Sequence, residues 1–474
     1  MQAPPSPGYS LIIRARYQNQ VGMLGQITSI IGAVGGDIAS IDIVESGGGF
    51  VTRDFTVHVR DTDHGFKCVE AVRQIPGLRI LNVSDRVFLL HLGGTLEITP
   101  RTPVKTRDDL MMVYMPGVAR VARAIQEERD KVFTLTIRRN LVGVVTDGSA
   151  VVGLGNIGPE AALPVMEGKA VLFKEFAGVD AFPICLNTQR PDEIAAAIKA
   201  ISPIFGAIDL EGIAEPGCFE VERQVQQDLD IPVFHGSRHG TAALVLAALI
   251  NTCRLTGKPL ESVRVVVSGS GPAATVCAQL LLSAGIAQVV VLDLEGIVHT
   301  ARPGLDSDKQ WLAEHTNPEN RTGDIREALR GADVFVGVTG GQRVEADDVR
   351  MMGRDPVIFA LANDDSMVIP DELEGVARVV ATARSDMPNQ MNNVICVPGF
   401  FRGLLDARAR GITTGMELAA ARTIADLVDE HELHEEYIVP SVFDKRVGAA
   451  VARAVASEAE GAGLAQQPAR PSQP

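Results

Sequence analysis

The segment GSGPAA at residues 269–274 has the residue types and spacing of a dinucleotide-binding turn. It fits the pattern GxGxx(G/A), and it lies between the β-branched run VRVVVS and the apolar, helix-like segment TVCAQLLLSAG. In such a turn Gly269 permits the tight bend, Gly271 lets a pyrophosphate approach the backbone, and Ala274 allows close packing of the helix. The first N–H groups of that helix would then face the phosphates. The sequence therefore predicts a Rossmann-type domain around this turn.

An acidic residue follows at the position that determines whether such a domain binds NAD or NADP. Asp293 ends the next apolar run, QVVVLD, and so lies at the end of the second predicted strand. A carboxylate about 20 residues after the glycine turn accepts a hydrogen bond from the ribose 2′-hydroxyl and repels a 2′-phosphate. We therefore expect NAD as the cofactor, in preference to NADP.

A second segment, GLGNIG at residues 153–158, matches the same pattern. No acidic residue ends a strand at the required spacing after it, and Pro164 is expected to interrupt the helix that the motif needs. We interpret this match as a coincidence of composition.

The order of elements indicates two kinds of architecture. Residues 9–92 predict the order βαββαβ, with strands in YSLIIRARY and near 38–45, 50–59 and 86–92, and helices after the loop QNQVGM and at 65–75. Such an order forms an antiparallel ferredoxin-like sheet with both helices on one face. From residue 93 onward longer strand and helix patterns alternate, which predicts α/β layers.

Composition narrows the classes of function. A chain of 474 residues with a net charge of −15 repels phosphate backbones and anionic lipid, so nucleic acid is not an expected partner. No apolar stretch approaches the roughly 20 residues of a membrane span. The six cysteines form no CxxC pair, and the opening MQAPPSPGYS lacks the pattern of a secretory signal. We expect a cytoplasmic protein.

The N-terminal segment NQVGMLGQITSIIGAVGGDI and the strands after it resemble an ACT domain. The resemblance implies a module that binds an amino acid or another small effector and usually works in pairs. The implied contact positions are Asn19, Gly22, Met23 and Leu24.

The rest of the chain resembles the malic enzyme family in its short bacterial form. The resemblance is carried, in order, by PVKTRDDLMMVYMPGVARV, VVTDGSAVVGLGNIGPEAALPVMEGKA, PVFHGSRHGTAALVLAALIN, RSDMPNQMNNVICVPGFFRGLLDARAR and VPSVFDKRVGAAVARAVA. It implies oxidation of malate with NAD(P), decarboxylation of the β-keto acid, and protonation of the resulting enol. It also implies a homodimer or higher homo-oligomer, and the ACT domain in front suggests allosteric control.

The predicted organisation combines these parts in an α/β fold. We expect an ACT domain at 9–92, a catalytic N-terminal domain of malic enzyme type at 93–235, a Rossmann-type NAD domain at 236–395, a C-terminal helical segment at 396–456, and flexible tails at 1–8 and 457–474.

The resemblance also implies roles for individual side chains. Tyr114 in YMPGVA matches the family's general acid, and Lys169 in VMEGKA matches its general base. Asn363 and Asn392 match asparagines that hold the cofactor, and Asn393 matches one that binds the substrate. Amides suit this work because they donate hydrogen bonds without adding charge.

The sequence departs from the family where a divalent metal should bind. The family has an acidic pair where this chain has Glu211-Gly212, and two aspartates where it has Gly236-Ser237. Glu211 alone remains, and one carboxylate seldom retains Mg²⁺ or Mn²⁺. Retention of the metal is therefore not predicted.

Three hypotheses stay open at this point. A metal site could be rebuilt from Asp209 and Glu211 together with His235 or His239. Alternatively, Arg238 could clamp a substrate carboxylate near the vacated position, which would give a metal-independent dehydrogenase of a 2-hydroxy acid. In the third, catalysis has been lost and the chain is an effector-binding regulatory protein. We favour an NAD-dependent, decarboxylating oxidoreductase with Tyr114, Lys169 and Arg238 as its catalytic residues.

Overall fold

The computed structural model describes residues 4–338, 343–362 and 368–466. The chain divides into two compact units, Met1–Ile98 and Thr99–Pro474. Each unit has a hydrophobic core of its own.

The N-terminal unit is one antiparallel sheet with two main helices. Its elements are β1 (Ser6–Gln18), α1 (Met23–Ala33), β2 (Asp37–Gly47), β3 (Phe50–Val59), α2 (Thr62–Arg73), β4 (Leu78–Asp85) and α3 (Arg86–Leu90). The strands lie in the order β2-β3-β1-β4. Ile27 and Ile31 of α1 and Cys68 and Val72 of α2 are buried with Phe55 of the sheet. This arrangement confirms the predicted ferredoxin-like βαββαβ order.

The last strand of this unit was predicted in the wrong place. Residues 78–85 form the strand, and residues 86–90 form a short helix instead of the expected strand at 86–92. Leu78–Asp85 pairs with β1, and the Asp85 side chain then accepts hydrogen bonds from the backbone N–H groups of Val87 and Phe88. Asp85 is thus a helix N-cap, which ends the strand and starts a helical turn.

The C-terminal unit contains two sheets and most of the helices. Its strands are β5 (Leu141–Thr146), β6 (Asp180–Cys185), β7 (Ala207–Leu210), β8 (Val233–Phe234), β9 (Arg264–Ser268), β10 (Gln288–Asp293), β11 (Gly296–Ile297), β12 (Val334–Gly337), β13 (Val357–Ala360) and β14 (Val379–Thr382). Its α-helices are α4 (Arg107–Val113), α5 (Gly117–Glu127), α6 (Val132–Leu135), α7 (Pro159–Ala177), α8 (Pro191–Ile201), α9 (Gly217–Asp228), α10 (Gly236–Thr256), α11 (Pro272–Ser283), α12 (Ser307–His315), α13 (Ile325–Leu329), α14 (Ala346–Val349), α15 (Val397–Ala407), α16 (Thr414–Asp426) and α17 (Arg446–Gly461). Short 3-10 helices lie at Arg129–Lys131, Ile137–Asn140, Ser202–Ile204, Leu260–Ser262, Pro370–Leu373 and Asn393–Ile395.

The first sheet of this unit is parallel and has the order β6-β5-β7-β8. Strand β5 is buried along its whole length, as its apolar sequence LVGVVT requires. The carboxyl ends of parallel strands meet at one edge of a sheet, which is where ligands bind in open α/β folds.

The second sheet has the order β11-β10-β9-β12-β13-β14 and is parallel except for the edge strand β11. Strand β9, the glycine-rich turn, helix α11 and strand β10 follow one another as the sequence predicts. This strand–turn–helix–strand unit confirms the Rossmann-type interpretation of residues 269–293.

Two local expectations about helices are not met. Helix α7 runs through Pro164 without a break, because only one backbone hydrogen bond is lost at a proline and the rest of this 19-residue helix is intact. Helix α17 continues to Gly461, beyond the expected start of a tail at 457, because Ala459 is buried in the core. At the other end, β1 already begins at Ser6, within the expected tail 1–8.

None of the helices within the described residues is both long enough and apolar enough to cross a bilayer.

Candidate active site

Lys169 and Glu211 form an ion pair at the carboxyl edge of the first sheet. Lys169 projects from the middle of α7, and Glu211 follows directly after β7. The Lys169 Nζ donates a hydrogen bond to Glu211 Oε1. Glu211 is 2% exposed, whereas a fifth of the lysine side chain still reaches solvent. The ammonium end of Lys169 therefore reaches solvent, whereas its carboxylate partner is buried.

Asp209 is a second buried carboxylate beside this pair. Its Oδ1 accepts a hydrogen bond of 2.9 Å from the backbone N–H of Gly236, and its Oδ2 has no hydrogen-bond partner among the described residues. Burial raises the pKa of Asp209 well above its usual value, and the neighbouring Glu211 adds to this rise. Two carboxylates and one ammonium group thus share this edge of the sheet.

The charges around Lys169 act on its pKa in opposite directions. Burial lowers the pKa of Lys169, but attraction to Glu211 and Asp209 outweighs burial and leaves the pKa raised. The two carboxylates therefore stabilise the ammonium form of Lys169.

His235 and Arg238 bring two further polar atoms to the same region. His235 follows β8 directly, and its buried Nε2 has no hydrogen-bond partner among the described residues. Burial lowers the pKa of His235 well below its usual value, and the nearby Arg238 lowers it further. The Arg238 guanidinium stacks 5.0 Å from the ring centre of Phe219, and its Nη1 is also without a hydrogen-bond partner. Arg238 Nη1 lies 3.9 Å from Glu222 Oε2, so the guanidinium adds positive charge to this region and shares it with that carboxylate.

His239 does not join this group. Its Nδ1 lies 2.5 Å from Glu417 Oε1, and its Nε2 lies 3.4 Å from Glu222 Oε1. Both ring nitrogens are therefore directed at carboxylates of α9 and α16, which leaves none for a metal site.

The residues at this edge do not fit a divalent metal. No cluster of three or more His, Cys, Asp or Glu side chains suited to a metal ion occurs within 4–338, 343–362 and 368–466. The Lys169 ammonium occupies one oxygen of Glu211. At position 236, a Cβ atom would lie 2.7 Å from Asp209 Oδ1, so the glycine leaves room only for that carboxylate. Hard cations need several oxygen ligands, which this set does not offer.

Tyr114 lies outside the Lys169 network. It follows α4 in a helical hairpin formed by α4 and α5, and it is 67% exposed. The two helices pack tightly against each other, because a Cβ atom at Gly117 would lie 2.4 Å from the backbone oxygen of Met111. No residue of either helix is buried. No hydrogen bond within the described residues joins Tyr114 to Lys169.

The glycine-rich turn has the geometry that its sequence predicts. Gly269 has a φ of +121°, which only glycine adopts easily. Ala274 is fully buried in α11, where its small side chain allows close packing. At Gly271 a Cβ atom would lie 2.6 Å from Glu215 Oε1. A carboxylate from the segment before α9 therefore lies directly against the turn at Gly271.

Asp293 lies at the end of β10 beside the turn, as predicted. Arg302 donates two hydrogen bonds of 2.8 Å to its two carboxylate oxygens. These bonds outweigh burial and hold the pKa of Asp293 below its usual value. Asp293 is therefore charged and already paired.

The predicted asparagines are only partly described. Asn392 caps a 3-10 turn, because its Oδ1 accepts a hydrogen bond of 3.0 Å from the backbone N–H of Val394. Asn393 begins that turn and is half-buried beside Gly240 of α10. Asn363 lies outside the described residues.

The loop proposed for an effector in the N-terminal unit lies before α1. Gly22 has a φ of +91° at the N-terminus of this helix, and a Cβ atom there would meet open space. Met23 and Leu24 are half-buried in the first turn, and Asn19 is exposed.

Several residues of the site were missed in the sequence. Glu215 and Arg302 carried no motif, because their contacts join segments that are distant along the chain. Asp147 carried a weak signal, since it follows the buried strand β5 directly. Its Oδ1 accepts hydrogen bonds from the backbone and hydroxyl of Ser149. Ser149 in turn accepts one from the backbone of Ala214, which fixes the loop beside Glu211.

Family profiles match three segments of the chain. The malic enzyme N-terminal domain matches residues 93–226, the malic enzyme NAD binding domain matches 239–369 and 375–460, and the ACT domain matches 11–77.

Relatives cover nearly the whole chain. A protein of Geobacillus stearothermophilus described as an NAD-dependent malic enzyme is 48% identical over 467 residues, 98% of each chain. The bifunctional malic/malolactic enzyme of Bacillus subtilis (strain 168) is 46% identical over 81% of this chain and 95% of its own length. The crystal structure of malic enzyme from Pyrococcus horikoshii superposes with a TM-score of 0.76 at 43% identity, covering 79% of this chain and 88% of that one. The C-terminal unit has two largely parallel sheets, with a paired lysine at the edge of the first and a glycine-rich turn in the second. Together with this extent of identity, these features show that the chain belongs to the malic enzyme family.

Proposed function

We propose that this protein catalyses the NAD-dependent oxidative decarboxylation of malate or a related 2-hydroxy acid. The observation that carries the proposal is the Lys169–Glu211 pair, which lies at the carboxyl edge of a parallel sheet and is open to solvent only at the lysine. The glycine-rich turn and Asp293 supply a nucleotide site in the same unit. When bound, NAD accepts a hydride from C2 of the substrate.

The side chains divide the work as follows. The Lys169 ammonium first passes a proton to Glu211, and the neutral amine then takes the proton of the C2 hydroxyl. Arg238 Nη1, which makes no hydrogen bond among the described residues and lies 3.9 Å from Glu222 Oε2, supplies a donor for a substrate carboxylate, and His235 Nε2 supplies a second polar atom. Tyr114 returns a proton to C3 after carbon dioxide has left. Asn392 and Asn393 contribute amide hydrogen bonds to cofactor and substrate.

This mechanism contains no metal step. A fixed guanidinium at Arg238 provides positive charge that does not depend on an ion. We therefore expect turnover of the purified protein to persist in excess EDTA. An absolute requirement for Mn²⁺ or Mg²⁺ would contradict the proposal and would favour a site rebuilt around Asp209 and Glu211.

The lysine variant tests the proposal directly. We expect Lys169→Ala to lower kcat by about 10²- to 10⁴-fold, because the proton acceptor is lost. Lys174→Ala is the matched control: it lies on the same helix, pairs with Asp180 at the surface, and should keep wild-type turnover. NADH formation measured across a panel of 2-hydroxy acids gives the readout. No turnover on any acid, together with no NAD binding, would support an effector-binding regulatory protein instead.

We further propose that Tyr114 serves the Lys169 site of a second copy of this chain. The residues from Leu110 to Met115 are all exposed and apolar, which is rare on the surface of a monomer. Further exposed apolar residues are Leu163 and Val165 on the helix that carries Lys169, and Val152 and Leu154 in the segment before that helix. Exchange of the hairpins between two copies would cover these exposed apolar residues and complete both sites, as a closed twofold dimer allows.

Mixing two inactive variants tests this exchange. Tyr114→Phe and Lys169→Ala, co-expressed with different tags, should form mixed dimers in which one of two sites carries both wild-type residues. Random pairing then restores about a quarter of wild-type activity. If tyrosine and lysine acted within one chain, every site would lack one of them, and no activity would return.

A further inference from the structure

The carboxylate of Asp293 is fully engaged by protein groups. Besides the two bonds from Arg302, Lys309 Nζ lies 3.2 Å from Oδ2, and Ser270 Oγ lies 3.3 Å from the same oxygen. The backbone N–H of Glu295 donates a 2.9 Å hydrogen bond to Oδ1. Two cations thus surround the group that was predicted to repel a 2′-phosphate by its charge.

These cations are held in place. The Arg302 side chain is only 10% exposed, and it comes from the segment after β11. Lys309 lies in the first turn of α12 with a quarter of its side chain exposed. A buried arginine fork and a nearby ammonium are the groups that proteins use to bind phosphate.

We propose that Arg302 and Lys309 form a latent phosphate-binding pair at the ribose end of the nucleotide site, and that Asp293 excludes a 2′-phosphate by occupying both cations. The ligand class of this pair is a nucleotide with a 2′-phosphate. The inference rests on the proposed dinucleotide site and adds the residues that decide between its two cofactors.

If Asp293 only repelled phosphate, a neutral residue at 293 would tighten the binding of a 2′-phosphate whether or not Arg302 is present. If Asp293 occupies the two cations, the gain in affinity requires them. A neutral Asn at 293 releases a guanidinium and an ammonium group, which then bind the phosphate.

The test uses two small nucleotides that differ by a 2′-phosphate, 2′,5′-ADP and 5′-AMP, titrated calorimetrically into the full-length protein. For Asp293→Asn we expect 2′,5′-ADP to bind at least about tenfold more tightly than to wild type, while the Kd of 5′-AMP changes by less than about threefold. Adding Arg302→Gln or Lys309→Gln to this variant should remove most of the gain.

Glu295→Gln is the matched control. Glu295 also pairs with Arg302, at 2.7 Å, but it is exposed and leaves Asp293 in place, so this variant should show no gain. No tightening of 2′,5′-ADP in Asp293→Asn, or a gain that survives loss of both cations, would overturn the proposal. Failure of 5′-AMP to bind the wild-type protein would instead contradict the dinucleotide site itself, and the latent pair with it.

Discussion

Glu215 shows how one side chain can influence a site that belongs to another sheet. It precedes α9 in the first half of the C-terminal unit, yet its carboxylate lies against Gly271 of the nucleotide turn. Partial burial raises the pKa of Glu215, and this effect outweighs the opposing attraction of Arg238. The N-terminus of α11 attracts negative charge, so Glu215 competes for the place of a pyrophosphate.

We therefore predict that Glu215→Gln binds NAD more tightly, by about twofold to fivefold, because a competing charge near the helix N-terminus is removed. Glu220→Gln, an exposed residue on α9, changes the net charge equally and should leave the Kd unchanged. Isothermal titration calorimetry with NAD gives the Kd of both variants. Weaker NAD binding in Glu215→Gln would indicate that the carboxylate helps to hold the cofactor.

At the scale of elements, three helices meet in one buried charge network. His239 of α10 contacts Glu222 of α9 and Glu417 of α16. Burial alone would lower the pKa of His239, but the hydrogen bonds to the two carboxylates raise it to about 10. The ring is therefore a cation at neutral pH, and it ties α10 to both neighbours.

The raised pKa sets the direction of a pH effect on stability. The folded protein binds the His239 proton more tightly than the unfolded chain, so this contribution is complete below about pH 6.5 and is lost as the pH rises through about 10. We predict that the free energy of unfolding falls by roughly 4–5 kcal/mol from this source over that range, because each unit of pKa shift corresponds to about 1.4 kcal/mol.

Urea unfolding of the wild type and of His239→Gln at pH 6 and pH 9.5 measures the effect. The wild type should lose more stability than the variant between these two pH values. His315→Gln, which replaces an exposed histidine on α12, should behave like the wild type. If the free energy of unfolding changed by the same amount between pH 6 and pH 9.5 in His239→Gln and in the wild type, the network would not be the source of the pH dependence.

At the scale of the whole molecule, the chain consists of an N-terminal unit, Met1–Ile98, and a C-terminal unit, Thr99–Pro474. The buried residues of the N-terminal unit form a core of their own, and every proposed catalytic and nucleotide-binding residue lies in Thr99–Pro474. The positive φ at Gly22 suits only glycine, so a larger residue would distort the loop proposed for an effector.

We predict that a chain beginning at Thr99 keeps NADH formation but loses any response to amino acids. In the full-length protein, Gly22→Val should lose this response with basal turnover unchanged, whereas Gly25→Ala, at an open helical position, should keep both. Steady-state rates with a panel of amino acids provide the measurement. An effector response that survives in the shortened chain would locate the effector site outside the N-terminal unit.

Features that depend on residues close together in the sequence were predicted correctly, and features that depend on distant segments were not. The turn at 269–274, strands β9 and β10, and the βαββαβ order were predictable because glycine spacing and apolar periodicity act within a few residues. The strand at 78–85 was misplaced because two adjacent segments had similar apolar content, and pairing with β1 decided between them.

The sequence by itself determined which residue types are present: a lysine and a glutamate at family positions, a complete nucleotide turn, and glycines where metal ligands are expected. Only the tertiary structure decided which of them meet. Lys169 pairs with Glu211 across 42 positions of sequence, and His239 with Glu417 across 178. Arg302, in the segment after β11, neutralises Asp293 at the end of β10. Tyr114 remains exposed. The reason is that such contacts depend on how sheets and helices pack, and no local pattern of side chains records the packing of distant segments.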